Sequence, residues 1–185
     1  MIASTTGNNN VAVGMNALTA STTSDFSVAI GHSALATCTT GDSNTAVGRS
    51  ALGSSTTASH NTAVGDQSLN QNTTGQNNTA IGRSALTSAT TAGENTALGV
   101  SAADNVTSGG ENVAVGYHAL GAATTGSENV AVGHAAGDAS TGSHNTFIGH
   151  SAGGSATTGS DSVFIGSMAG DRDYSNIFTT SSCST

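Results

Sequence analysis

Ten short phrases, each closing on glycine, recur along this chain: VAVG, VAIG, TAVG, TAVG, TAIG, TALG, VAVG, VAVG, TFIG and VFIG. The closing residues are Gly14, Gly31, Gly48, Gly65, Gly82, Gly99, Gly116, Gly133, Gly149 and Gly166, 17 residues apart except for one interval of 16. A fixed period of this size marks a repeat architecture, in which each unit is too small to bury its own apolar side and does so only by stacking on its neighbours. Composition alone points elsewhere. With 35% hydrophobic and 3% aromatic residues, the chain is too poor for a layered enzyme core and resembles a disordered, low-complexity tract. Such a tract does not keep count, and the period decides for order.

Read in columns, the residue before each glycine is always aliphatic: Val13, Ile30, Val47, Val64, Ile81, Leu98, Val115, Val132, Ile148 and Ile165. Two positions earlier stands Val or Thr in every copy, and β-branched residues at a period of two predict a strand. The aliphatic column is the expected core stripe. Three residues after the glycine comes Ala or Ser, followed in the first five copies and the seventh by Leu, which predicts a second short strand. A polar Thr-Thr-Gly loop then reverses direction. Strands of roughly five residues, stacked about 4.8 Å apart, make a narrow parallel β-solenoid of ten coils and about 48 Å. The repeat domain is expected over residues 1–170, with 171–185 as a C-terminal cap or extension. Cys38 and Cys183 would then lie too far apart for a disulfide.

Two further columns are almost invariant. Asn10, Asn44, Asn61, Asn78, Asn95, Asn112, Asn129 and Asn145 precede the triplet, with Ser27 and Ser162 in the other two copies. Stacked amides can bond one another from coil to coil, although Asn chosen only for its turn conformation would leave the same pattern. The middle of the triplet reads Ala12, Ala29, Ala46, Ala63, Ala80, Ala97, Ala114, Ala131, Phe147 and Phe164. A strand covered on one face alternates apolar with polar, whereas one covered on both reads as an apolar run. The Ala column is therefore expected to be an oligomer interface with other copies of this chain. Crowding within the coil would also keep the column small, and predicts a stable monomer.

The phrase Asn-(Thr/Val)-Ala-(Val/Ile)-Gly-x-x-Ala-Leu resembles the head repeat of YadA-type trimeric autotransporter adhesins. The longer TTGxxNTAVGxxAL form is similar to repeats of bacteriophage tail fibres. The resemblance covers essentially residues 4–170, and implies a left-handed parallel β-roll with three chains about one axis. The chain departs from full-length adhesins in showing no signal sequence, coiled-coil stalk or membrane barrel, and from many fibres in showing no recognisable C-terminal chaperone.

The most variable column follows each glycine, and its polarity places it in solvent as the expected surface for recognition: His32, Arg49, Asp66, Arg83, Tyr117, His134 and His150. Arg49, Asp66 and Arg83 fall on consecutive coils and can pair laterally. His134 and His150 are neighbours, but no carboxylate or Cys completes a ligand set, so no metal and no cofactor are expected. Glu94, Glu111 and Glu128 share a loop column. A hard cation would relieve their repulsion, as would solvent. Asp171 and Asp173 are read as part of a charged cap that blocks the last strand edge, rather than as the acid and base of a glycan-cleaving enzyme. No catalytic residues are expected, and the protein is not expected to be an enzyme.

Charge removes other classes. Three Arg, no Lys and a net charge of -8 offer phosphate backbones and anionic membranes nothing to hold. No segment has the apolar length of a membrane span, and MIASTTGNNN lacks the basic start and apolar stretch of a signal peptide. The expectation is a structural and adhesive segment of a trimeric extracellular or virion attachment fibre, touching a host glycan or protein receptor. The alternative is a filament subunit that polymerises end to end through open strand edges.

Overall fold

The computed structural model describes residues 6–171, which form an all-β parallel solenoid without helices. Its ten strands are β1 (Val11–Val13), β2 (Val28–Ile30), β3 (Thr45–Val47), β4 (Thr62–Val64), β5 (Thr79–Ile81), β6 (Thr96–Leu98), β7 (Val113–Val115), β8 (Val130–Val132), β9 (Thr146–Ile148) and β10 (Val163–Ile165). They make one sheet in chain order, each pair parallel and in register, with Ala46 beside Ala63 and Val47 beside Val64. A parallel neighbour cannot be reached by a hairpin, so the rest of each repeat serves as the crossover.

Only the triplet is a strand. The expected second strand is replaced by a turn in which the residue before Ala and the Leu after it both take positive φ: Ser50 at 56° and Leu52 at 50°, with the same pattern in the other coils. A left-handed Leu costs about 1–2 kcal/mol, and burying its side chain returns about 1.5–3 kcal/mol, so burial wins. The turn keeps its bonds between coils, since Leu52 N donates to Ser68 O at 3.0 Å. At the corner after the strand, Gly48 has φ 138°, and a Cβ built there would stand 2.3 Å from Gly65 O. Both the conformation and the closeness of the next coil require glycine.

The two faces of the strand are the reverse of those expected. The Ala column lies inside the coil, fully buried from Ala29 to Ala131, where it packs with Leu18, Leu35, Leu52, Leu69, Leu86 and Leu120. The aliphatic column lies outside: Val13 is 57% exposed, Leu98 47% and Ile165 65%. Ile30, Ile81, Val132 and Ile148 are exposed as well, and Val47, Val64 and Val115 are half-buried. The cause is the bore. A coil of this size, already holding one Leu, admits only a methyl group from the strand, and the larger side chains turn outward. Crowding within the coil thus accounts for the alanines, and they are not an interface.

Interior volume is shared within each coil. Where Leu gives way to Ala103, the nearby core position becomes Val106, against Ala89 and Ala123 in the adjoining coils. Where Ala gives way to Phe147 and Phe164, the Leu position is Gly153 and Gly170. The two rings stack at 5.7 Å and 4°. The 16-residue interval has lost one of the paired threonines at an exposed corner, and Thr141 alone still donates through Oγ1 to Thr157 O at 2.7 Å.

Candidate functional surfaces

The asparagines form a continuous buried ladder. Asn61 Oδ1 accepts from Asn78 N at 2.9 Å and from Asn78 Nδ2 at 3.1 Å. The same amide of Asn78 donates to Ala92 O at 2.8 Å. Asn95, Asn112 and Asn129 repeat the arrangement up to Asn145, and Asn10 and Asn44 carry it downward through Ser27. One side chain thus binds its neighbour and closes the turn backbone, so the two readings of the Asn column hold together.

A second ladder went unread in the sequence, where Thr-Thr-Gly registers only as a turn. From Thr22 to Thr107 the first residue of each Thr-Thr or Thr-Ser pair donates its hydroxyl to the carbonyl of its counterpart one coil on, as in Thr39 to Thr56 at 3.1 Å, Thr56 to Thr73 at 3.1 Å and Thr73 to Thr90 at 3.0 Å. The signal was the strict recurrence of Thr where a turn alone would accept Ser, Asn or Gly.

The column after the corner glycine is largely exposed, as expected for a recognition surface. Arg49 Nη2 donates to Asp66 Oδ2 at 2.9 Å, so Arg49 rather than Arg83 is the partner of that carboxylate. Tyr117, His134 and His150 form a ring stack, with centroids 5.1 and 5.0 Å apart and interplanar angles of 22° and 11°. His32 stands apart from this stack, in the second coil. Stacking occupies the faces of the rings and leaves their edges to solvent. His118 lies 4.7 Å from the Tyr117 ring and directs Nδ1 at Asp138 from 3.9 Å. Burial raises the Asp104 carboxyl above the usual range, an effect that the nearby His118 lowers in part.

The corner before the strand carries the acidic column. Glu94, Glu111 and Glu128 are exposed at φ 63°, 60° and 60°, and the chain continues the column with His144 and Asp161. His144 Nε2 is 3.2 Å from Glu128 Oε1, and its Nδ1 is 4.0 Å from Asp161 Oδ1. Imidazole thus enters the column where a fourth Glu would add repulsion. Among the described residues, no group of three or more His, Cys, Asp or Glu side chains is disposed to hold a metal ion.

Cys38 is buried and unbridged, with its thiol raised by burial, and Cys183 lies outside the described residues. Asp171 Oδ1 accepts from Ser155 Oγ at 2.9 Å, whereas Asp173 and the rest of the expected cap lie outside the described residues. No pocket opens in the described rod, and no helix there is long and apolar enough to cross a membrane. Its surface offers ladders and columns rather than a cleft. Comparison with protein-family models, curated proteins and solved structures returns no match to this chain.

Proposed function

We propose that the chain is a structural, adhesive rod, a segment of a trimeric extracellular or virion attachment fibre whose outer columns touch a host glycan or protein receptor. The observation that carries this reading is the outer face of the sheet. From Val13 to Ile165 it presents an aliphatic side chain in every coil, flanked by Val or Thr, with no charge on the strand. An apolar stripe that long on a rod marks an interaction surface, and an identical rod supplies a matching stripe. The argument that both faces of the strand are covered therefore stands with the faces exchanged: the coil covers the alanines, and sister chains cover the aliphatic column. The resemblance to adhesin heads and tail fibres supports three copies.

Light scattering of the purified chain is expected to give three copies per particle. The double variant Ile81→Asp/Leu98→Asp, which changes only exposed side chains, is expected to give a single copy with its β circular dichroism unchanged. A wild-type chain that stays monomeric at all concentrations overturns the reading, and long polymers favour end-to-end filaments instead.

A further inference from the structure

In the column that follows the corner glycine, a cation and an aromatic ring stand two coils apart with Val100 between them: Arg83, which is exposed, and Tyr117, which is 50% exposed. We propose that this step in the corner binds one carboxylate-bearing pyranose of a receptor glycan, with the guanidinium of Arg83 on the carboxylate and the ring of Tyr117 against the C–H face of the sugar. The proposal rests on the attachment reading above and adds the class of ligand and its site.

Arg83 is open to a ligand because its neighbour is already engaged. Asp66, one coil below, offers a single accessible oxygen: Oδ1 is buried without a hydrogen-bond partner, and Oδ2 accepts from Arg49 Nη2 at 2.9 Å. Arg83 itself has no hydrogen-bond or ion-pair partner among the described residues. A guanidinium with its fork open receives a carboxylate through two parallel hydrogen bonds. The chain's net charge of -8 disfavours anions elsewhere, and Glu94, Glu111 and Glu128 lie across the strand, at the corner before it.

The Tyr117 ring is fixed before a ligand arrives. His134 stacks on one face at 5.1 Å and 22°, and His118 tilts against the ring at 4.7 Å and 59°, so little side-chain entropy is left to lose on binding. The stack runs upward from Tyr117 through His134 to His150, which turns the other face of Tyr117 toward the coil of Val100, a half-buried side chain without a ring. At about 4.8 Å per coil, Arg83 and Tyr117 stand about 9.6 Å apart along the rod, room for one pyranose seated on the ring with its carboxylate at the guanidinium. The negative face of an aromatic ring attracts the polarised C–H groups of such a sugar. A step this shallow binds weakly in one copy, and the copies in a fibre multiply it.

Ligand-observed NMR with the full chain tests the site, using methyl glucuronide and its neutral counterpart methyl glucoside as probes. The acid is expected to bind about five-fold more tightly at low salt, with a smaller preference at high salt. Arg83→Gln is expected to remove the preference and keep the affinity for the neutral sugar, whereas Tyr117→Ala lowers both affinities and Tyr117→Phe neither. Arg49→Gln touches no ligand contact but frees Asp66 Oδ2 to take Arg83, so it is expected to reduce the preference. Arg49→Gln/Asp66→Asn is expected to restore it, a rescue that a merely structural role for Arg49 would not give. Unchanged β circular dichroism checks the fold of each variant. Equal binding of the two sugars, or a preference that survives Arg83→Gln, overturns the proposal. Binding of neither sugar also overturns it; capture of the same preparation by some other glycan or protein on an array then leaves the attachment reading standing, and capture by none overturns both.

Discussion

The ring of Phe147 occupies the space that a side chain on Gly153 would need: a Cβ built on that glycine falls 2.2 Å from Cδ1 and 2.2 Å from Cε1 of the ring. Phe164 and Gly170 repeat the relationship at 2.3 Å. In a bore this narrow, the strand and the turn of one coil draw on the same volume, and neither residue can be chosen alone. In the six coils that carry Leu the volume is divided as between Ala46 and Leu52, both fully buried.

Phe147→Ala is expected to cost about 3–5 kcal/mol through the cavity it leaves. Gly153→Leu is expected to destabilise by displacing the ring. Together they restore the Ala and Leu division, and the double variant is expected to be more stable than the sum of the two losses allows. Urea unfolding of the four proteins measures the coupling, and simple additivity would show that the two positions do not share volume.

The amide ladder makes Asn78 costly to change. Its replacement by Ala removes the acceptor of Asn95 N and the donor to Ala92 O inside a buried turn, and about 2–4 kcal/mol of stability should go with them. Asn10, at the end of the ladder and only partly buried, should lose less than half as much. Equal losses at the two sites in chemical denaturation would mean that the ladder contributes nothing beyond local turn conformation.

Ser140 offers the opposite case. Its Oγ is buried without a hydrogen-bond partner, and the positions below and above it in the same column are Ala123 and Ala156. Ser140→Ala should stabilise the rod by about 1 kcal/mol, because an unsatisfied hydroxyl is removed at no loss of packing. A lower unfolding midpoint would contradict this.

Burial holds the Asp104 carboxyl above its ordinary range. As pH rises through the unfolded value, the unfolded chain ionises first and the native state falls behind; the resulting penalty is complete only above the raised folded pKa. Asp104→Asn should therefore raise the melting temperature at about pH 8 and leave it unchanged at about pH 2.5. A difference that persists at the acid end would place the effect in packing and not in charge.

Much of this was written in the columns. The glycine spacing predicted the triplet strands, their order and their register, though not that the second expected strand would be a turn, and Val47 does lie beside Val64 as the alignment of phrases required. The Asn ladder was legible because eight copies of one amide in one column have few other uses. The ring stack was legible only as adjacency of His134 and His150, since nothing in the sequence says whether neighbouring rings stack or splay.

By itself, the sequence determined the period, the parallel register and the fact that each face of every triplet carries an apolar column, because these follow from counting residues. Only the closed coil decided which face lies inside. Alternation along a strand distinguishes two faces without naming them, and hydrophobicity alone nominates the larger aliphatics for the core. The chain must also turn through a full circuit in 17 residues, which forces Leu52 and its equivalents to positive φ and leaves a bore that accepts Ala46 but not Val47. Steric closure outweighed hydrophobicity, and the aliphatic column was left on the outside of the rod.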